Sequence, residues 1–450
     1  MFRRLTLAGL FILALTHPAL TQTQITTGVV QGTVTDATGA LLPGVTVEAR
    51  NAGTNLTRTL TTEADGRFVF LQLPPGTYSV KFTLAGFATL IQQEVPVTVG
   101  QSVTLPIAMK VGGVSETVTV TTGTSVIEST RTGSATTLNS LTVEHLPNLG
   151  RKFEDLLSLT PGVSIVQGPD GDEITFAGQR GVFNNISLDG GDYNNGFFGE
   201  QAGGQRAAVD ITLEAIKEFQ VIATGAPAEF GRTAGGVVNV ITKSGTNQRH
   251  GSLFHFQRLA GLTGDLSDGT KLEDFHREQW GGTYGGPLKQ DKAFIFAALE
   301  GITGNFKRPN LGRQLGATPC PVNNPTVQQN EALINANPDC QRTALLAFFN
   351  GRGQNEASPI EHPVKTIAFL GKLDFIASQN NNVSGSWNFN HSRKTNETFD
   401  VATYGSSANG IEGNPARINV LNLNWFTTLS ARMLNEAHFT YARESRPRAA

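Results

Sequence analysis

From about residue 251 onward, apolar and polar residues alternate along long stretches of the chain, and this alternation restricts the fold more than any other feature. Phe254 and Phe256 share one face of an extended strand, opposite His255 and Gln257. Val383, Trp387 and Phe389 oppose Ser384, Ser386, Asn388 and Asn390. Leu421, Leu423 and Trp425 oppose Asn422 and Asn424, and Met433, Ala437, Phe439 and Tyr441 oppose Glu436, His438 and Thr440. Successive side chains of a strand point to opposite faces, so each of these strands has one apolar and one polar side. A transmembrane barrel with a wet interior has this pattern, and so does a soluble sandwich.

The rest of the composition narrows the choice. Past the N-terminus no run of 18 apolar residues occurs, so no membrane-crossing helix is predicted. A chain of this kind crosses a bilayer only as a barrel, where every backbone group is paired between strands. Charged residues make up 16% of the chain, with 50 glycines and 27 phenylalanines, which favours strands and turns. The formal charge of −2 provides no general attraction for nucleic acid, and none is expected as a partner. Arg3, Arg4 and the apolar stretch Leu5–Leu15, followed by small residues, predict a secretory signal over 1–24, with cleavage between Ala19 and Gln24. Export makes a disulfide the simplest reading of the two cysteines, Cys320 and Cys340. Closing that loop is worth ~3 kcal/mol in the chain-entropy picture.

Residues 27–110 read as short strands between turns. Val29–Thr35, Val45–Ala49, Arg67–Phe70 and Tyr78–Phe82 are the strands, and Leu42-Pro43-Gly44, Ala64-Asp65-Gly66 and Leu73-Pro74-Pro75-Gly76 are turns. Gly32-Thr33-Val34-Thr35-Asp36, Thr62-Glu63-Ala64-Asp65-Gly66-Arg67-Phe68 and Leu73-Pro74-Pro75-Gly76-Thr77-Tyr78 resemble the carboxypeptidase regulatory-like domain, a prealbumin-like β-sandwich. The resemblance implies no peptidase chemistry. Sandwiches of this shape include carbohydrate-binding modules, so a surface glycan-binding or adhesion protein is the alternative function. The sequence shows no exposed aromatic platform for a sugar.

Residues 111–123 form a linker. Within it, Glu116, Thr117, Val118, Thr119 and Val120 make a β-prone stretch between glycines. Such a stretch can join the edge of a partner's sheet. It resembles the TonB box of TonB-dependent receptors. The alternatives are the last strand of the sandwich or a plain linker.

Residues 124–248 read as a mixed α/β domain. Phe153, Leu156 and Leu157 share a helical face, Ile174–Gly181 and Asn185–Gly190 are expected to pair as strands, and Leu213–Val221 is a short helix running into a strand. Leu-Leu-x-Leu-x-Pro-Gly-Val at 156–163, Gly-Gln-Arg-Gly with Leu-Asp-Gly at 178–190, Ile-Lys-Glu-Phe-Gln-Val at 216–221 and Phe-Gly-x-x-x-Gly-Gly-Val-Val-Asn-Val-Ile-Thr-Lys at 230–243 resemble the plug domain of TonB-dependent receptors. Gly235-Gly236 is expected to let backbones pass closely beside a buried strand at Val237–Ile241.

Residues 249–450 are then expected to form the N-terminal part of an outer-membrane barrel. Gln279–Leu288 and Asp291–Gly301 make a hairpin that resembles the first hairpins of the Oar-like subgroup, and 303–364 is a long Asn/Pro/Gln-rich loop. About seven strands fit between 251 and 443, whereas a plugged barrel needs about 22. The terminal residues 444–450 also lack a closing aromatic. The sequence is therefore expected to be part of a longer protein. The fold class is mainly β: a sandwich, a mixed α/β plug and the first ~7 strands of an incomplete transmembrane barrel.

No metalloprotease, hydrolase or phosphate-loop motif is present, and no enzyme activity, cofactor or metal is expected. Gly371-Lys372-Leu373 resembles a phosphate loop only superficially, and Asp170, Asp172 and Glu173 read as a solvated turn. The plug apex must face the ligand, which makes Arg180, Asn184, Asn185, Tyr193, Asn194 and Asn195 the candidate ligand contacts. The resemblance implies a receptor or transporter in the bacterial outer membrane with its sandwich in the periplasm. Its implied partners are a TonB-like energy-coupling protein, outer-membrane lipid and an unidentified extracellular ligand.

Overall fold

The computed structural model describes residues 26–445 apart from 113–116, 121–133, 149, 169–170, 196–210, 227–229, 232, 266–273, 306, 309–317, 324–326, 354–355, 396–414 and 431–432. The segment expected to be a signal lies outside the described residues, as does Glu116.

The first domain has eight strands: β1 (Gly28–Asp36), β2 (Thr46–Asn51), β3 (Thr57–Thr61), β4 (Arg67–Leu73), β5 (Gly76–Thr83), β6 (Thr89–Val97), β7 (Ser102–Met109) and β8 (Thr117–Val120). They form a three-stranded sheet, β4-β1-β7, and a five-stranded sheet, β3-β2-β5-β6-β8. Alternate residues point between the sheets, so Val30, Val34, Val47, Val80 and Leu105 meet Phe68, Phe70, Tyr78 and Phe82 in one core. Phe87, the domain's remaining ring, packs against that core half-buried.

The second domain contains β9 (Ser134–Leu138), helices α1 (Ser140–His145) and α2 (Phe153–Leu157), then β10 (Val163–Gly168), β11 (Gly171–Phe176), β12 (Asn185–Leu188), β13 (Gly191–Asp192), β14 (Ile216–Thr224) and β15 (Val237–Thr242). Asn139 caps α1 by accepting the Thr142 N–H. Phe153, Leu156 and Leu157 are all buried on α2, as their spacing requires. The sheet order is β13-β12-β15-β14-β9, with the wholly buried β15 at its centre. One expected pairing is corrected: β11 pairs with β10, and β12 lies parallel to β15. β10 and β11 follow one another directly, with Gly168 opposite Gly171, so β11 pairs with its neighbour in sequence and β12 joins the central strand.

The third domain is an antiparallel sheet of long strands: β16 (His250–Leu259), β17 (His276–Lys289), β18 (Ala293–Asn305), β21 (Val364–Ser378), β22 (Asn381–Lys394), β23 (Ala416–Ser430) and β24 (Met433–Ser445). Two short strands, β19 (Lys307–Arg308) and β20 (Ile360–Glu361), pair separately. The seven long strands are joined in chain order, and the sheet is open, with β16 and β24 at its edges. Tight turns join β17 to β18 and β21 to β22, and longer connections lie at the other end. The expected loop over 303–364 is not irregular throughout. It carries α3 (Val327–Ala336) and α4 (Pro338–Asn350), and the structure joins Cys320 to Cys340 there. Asn337 accepts from the Asp339 and Cys340 N–H groups with Pro338 in the first turn, a strong helix start that the Asn- and Pro-rich composition hides.

The alternation expected on the long strands holds on β22, β23 and β24, where Trp387, Leu421, Leu423, Trp425, Phe439 and Tyr441 are exposed on the convex side. On β16 it is reversed. Phe256 stands opposite the buried Gln279, and Leu253, 93% exposed, points outward. Alternation fixes only that two faces differ; the register with β17 decides which one turns in.

Candidate functional site: the plug against the barrel wall

The plug sits on the concave face of the seven-stranded sheet. Part of the contact is apolar: Ile418 and Val420 of β23 complete the plug core, and Ala215 packs on Phe296, Ala298 and Leu370. The inward face of the wall is therefore apolar in places, contrary to a uniformly wet lining, because a folded domain covers it.

The rest of the contact is a series of directed hydrogen bonds. The Asn422 amide donates to the Leu188 carbonyl at 2.9 Å, and Asn424 donates to the Asp189 carbonyl at 2.8 Å. Asn388 donates to the Tyr193 hydroxyl at 3.0 Å. Thr212 donates to Glu300 at 2.5 Å, and Gln279 donates to the other oxygen of that carboxylate. The Arg277 guanidinium reaches the Gly150 carbonyl at 3.2 Å. Arg151 lies 4.5 Å and 4.6 Å from the ring centres of Phe254 and Phe256 and pairs with Glu214 at 2.8 Å. This explains the inward rings of β16: they hold a plug cation over their faces.

One ion pair lies at the centre. Lys372 of β21 reaches the Asp189 carboxylate from the wall. Asp189, at φ 49° just after β12, also accepts the Thr242 N–H at 3.0 Å and the Thr242 hydroxyl at 2.7 Å. The pair therefore fastens the two parallel plug strands to each other and to the barrel. A buried lysine without such acceptors would lose several kcal/mol of solvation uncompensated.

Backbone proximity is enforced by glycine. A Cβ on Gly191 would lie 2.0 Å from Asn422 Oδ1 and 2.6 Å from Thr440 Oγ1. A Cβ on Gly236 would lie 2.3 Å from the Phe176 ring. At Gly235 the Asn184 side chain and the Phe183 backbone both lie close, and the Gly235 N–H donates to the Phe183 carbonyl at 3.0 Å.

The six candidate ligand contacts separate. Asn184 is buried and donates to the Ile174 carbonyl at 2.6 Å, and Asn185 donates to the Gly231 carbonyl at 2.6 Å. Asn194 accepts the Ile186 N–H and donates to Asp192 and Asn185. Tyr193 is buried against Asn388, and Asn195 donates to Glu444 of the barrel at 2.7 Å. Arg180 alone of the six is exposed, on the turn after β11. Asn185 and Asn194 are tied to each other within the plug, and Tyr193 and Asn195 bond to the barrel. The wall residues Lys372, Asn388, Asn422 and Asn424 were not singled out as a site from the sequence. For the three asparagines the signal is a polar side chain repeated at every second position opposite exposed aromatics.

The candidate coupling segment is an edge strand. Thr117–Val120 runs parallel to Thr89–Gln92 of β6, with Val118 opposite Leu90 and 41% exposed.

Three family models match the chain. The carboxypeptidase regulatory-like domain matches residues 29–110, the TonB-dependent receptor plug domain residues 128–238, and an outer membrane beta barrel domain residues 241–449. The chain is 26% identical over 377 residues to the TonB-dependent transporter Oar of Myxococcus xanthus, covering 79% of this chain and 33% of that protein. It thus spans about a third of that relative's length. Among solved structures, the siderophore receptor PirA from Acinetobacter baumannii is 19% identical at TM-score 0.42, covering 66% of this chain and 38% of that one. The outer membrane transporter YddB from Escherichia coli is 14% identical at TM-score 0.42, covering 66% and 37%. The chain thus carries, in order, a carboxypeptidase regulatory-like domain, a TonB-dependent receptor plug domain and an outer-membrane beta barrel domain.

Proposed function

We propose that this protein imports an extracellular ligand across the outer membrane and performs no catalysis of its own. The observation that carries the reading is the plug itself: a domain seated on the inner face of a membrane sheet largely by hydrogen bonds, about 0.5–1.5 kcal/mol each for the neutral ones. Such a domain closes a pore and can be moved. Trp280, Trp387, Trp425 and Tyr441 supply an exposed aromatic outer face suited to lipid. The disulfide-linked helical loop lies at the end of the long connections, the side from which ligand would arrive. The sandwich lies at the end of the tight turns, which supports a periplasmic position.

On this reading a TonB-like energy-coupling protein pulls on the chain at Thr117–Val120 by adding a strand. Deleting residues 115–121 in the intact protein should abolish capture by the purified periplasmic domain of such a protein, with the barrel still folded in outer-membrane vesicles. Undiminished capture would remove this segment from the coupling role.

A further inference from the structure

The sandwich touches both other domains, and each contact is specific. On the plug side, the Val99 N–H donates to Glu218 Oε1 of β14 at 2.7 Å, and Glu218 is only 3% exposed. Lys217 donates to the Pro75 carbonyl, and Gly100 packs on the Gln220 amide so closely that a Cβ would lie 2.4 Å from it. On the barrel side, Asn55 donates to Asp291 Oδ1 at 2.7 Å, in the tight turn between β17 and β18. Asn247, between β15 and β16, donates its backbone N–H to the Gly53 carbonyl at 2.9 Å and its amide to the same Asp291 oxygen at 2.8 Å.

We infer that the sandwich is a clamp: by gripping the barrel turn at Asp291 and the plug strand at Glu218 together, it holds the plug in the barrel and must open before the plug can be displaced. One domain bonded to two others resists any motion that changes the distance between them. Val99 and Gly100 lie in the turn between β6 and β7, while Gly53 and Asn55 lie in the β2–β3 turn. The two grips are joined through β2, β5 and β6 of one sheet. If the coupling reading above is right, a pull on Thr117–Val120 first loads β6, and so reaches the clamp. The clamp itself does not depend on that reading.

Amide hydrogen exchange on the intact protein in outer-membrane vesicles tests it. In the Gly53→Cys/Thr246→Cys variant the two β-carbons would lie 3.7 Å apart, a spacing a disulfide accepts. Oxidation should slow exchange in Ser134–Leu138 and Ile216–Thr224 at least tenfold relative to the reduced form, measured against the parent under the same conditions. The Asn55→Ala/Asp291→Ala variant should speed it at least tenfold while the amides of Ala293–Asn305 stay unchanged, showing that the barrel is intact. Equal exchange of the two plug strands in the parent, stapled and loosened proteins would mean that the sandwich hangs beside the plug without restraining it.

Discussion

Lys372 Nζ on the barrel wall lies 3.2 Å from Asp189 Oδ1 on the plug, and the two side chains are 8% and 4% exposed. Breaking such a pair from one side leaves a buried charge without a partner, at a cost of about 3–5 kcal/mol. Asp189→Asn keeps a residue that tolerates the left-handed backbone and removes only the charge. It should raise exchange of the Val237–Thr242 amides by roughly two to three and a half orders of magnitude at about 1.4 kcal/mol per tenfold. Adding Lys372→Met should recover part of the loss. A double variant no better than the single would show that the pair does not fasten the plug.

Gly191 leaves no room for a methyl group beside Asn422 and Thr440. Gly191→Ala should destabilise the plug's seat by about 1–3 kcal/mol. Shortening one obstructing side chain, as in Gly191→Ala/Asn422→Ser, should return part of it, since Thr440 stays close and the bond to Leu188 is lost. Exchange at Asn185–Leu188 reads both variants. A Gly191→Ala protein as protected as the parent would contradict this packing.

Tyr78 lies buried in the sandwich core and donates to the Pro74 carbonyl at 2.8 Å. Burial pushes its phenol up to about 12, from about 10 in an unfolded chain. The fold thus favours the neutral form. That stabilisation, about 3 kcal/mol, is complete below pH ~10 and is lost as pH rises through the folded value. The phenolate absorbance of the parent minus that of Tyr78→Phe should show no step near pH 10. A step there would place the ring in water.

Leu90 and Val118 face each other across β6 and β8. A Leu90→Cys/Val118→Cys disulfide would hold Thr117–Val120 on the sandwich. If coupling requires the strand to leave β6, oxidation should abolish capture by the periplasmic domain of a TonB-like protein, and reduction should restore it. Capture that survives oxidation would mean that the partner reads the strand from its outer edge.

Much of this architecture is visible in the residues themselves, because local chemistry decides it. The turn clusters of 27–110 set the strands of the sandwich, and Phe153, Leu156 and Leu157 set the buried face of α2. The run from Val237 is buried because its β-branched residues suit a central strand. The misses share a physical cause, which is that they depend on what lies opposite. The inward turn of Phe254 and Phe256 depends on register with β17 and on Arg151. The pairing of β12 with β15 brings together residues 52 positions apart, such as Ser187 and Asn239. The role of Lys372 cannot be read from its neighbours on β21, since its partner lies 183 residues away. Asn184 and Tyr193 look available in the sequence because their partners, the Ile174 carbonyl and the remote Asn388, are invisible there.

Uncharged amides, those of Asn388, Asn422 and Asn424, make three of the bonds from wall to plug. Amides do not titrate, and screening ions do little to a neutral hydrogen bond in a covered seam. Acid or brine outside the cell would leave these three bonds intact, so on the import reading proposed above a pull along the chain is what would part them.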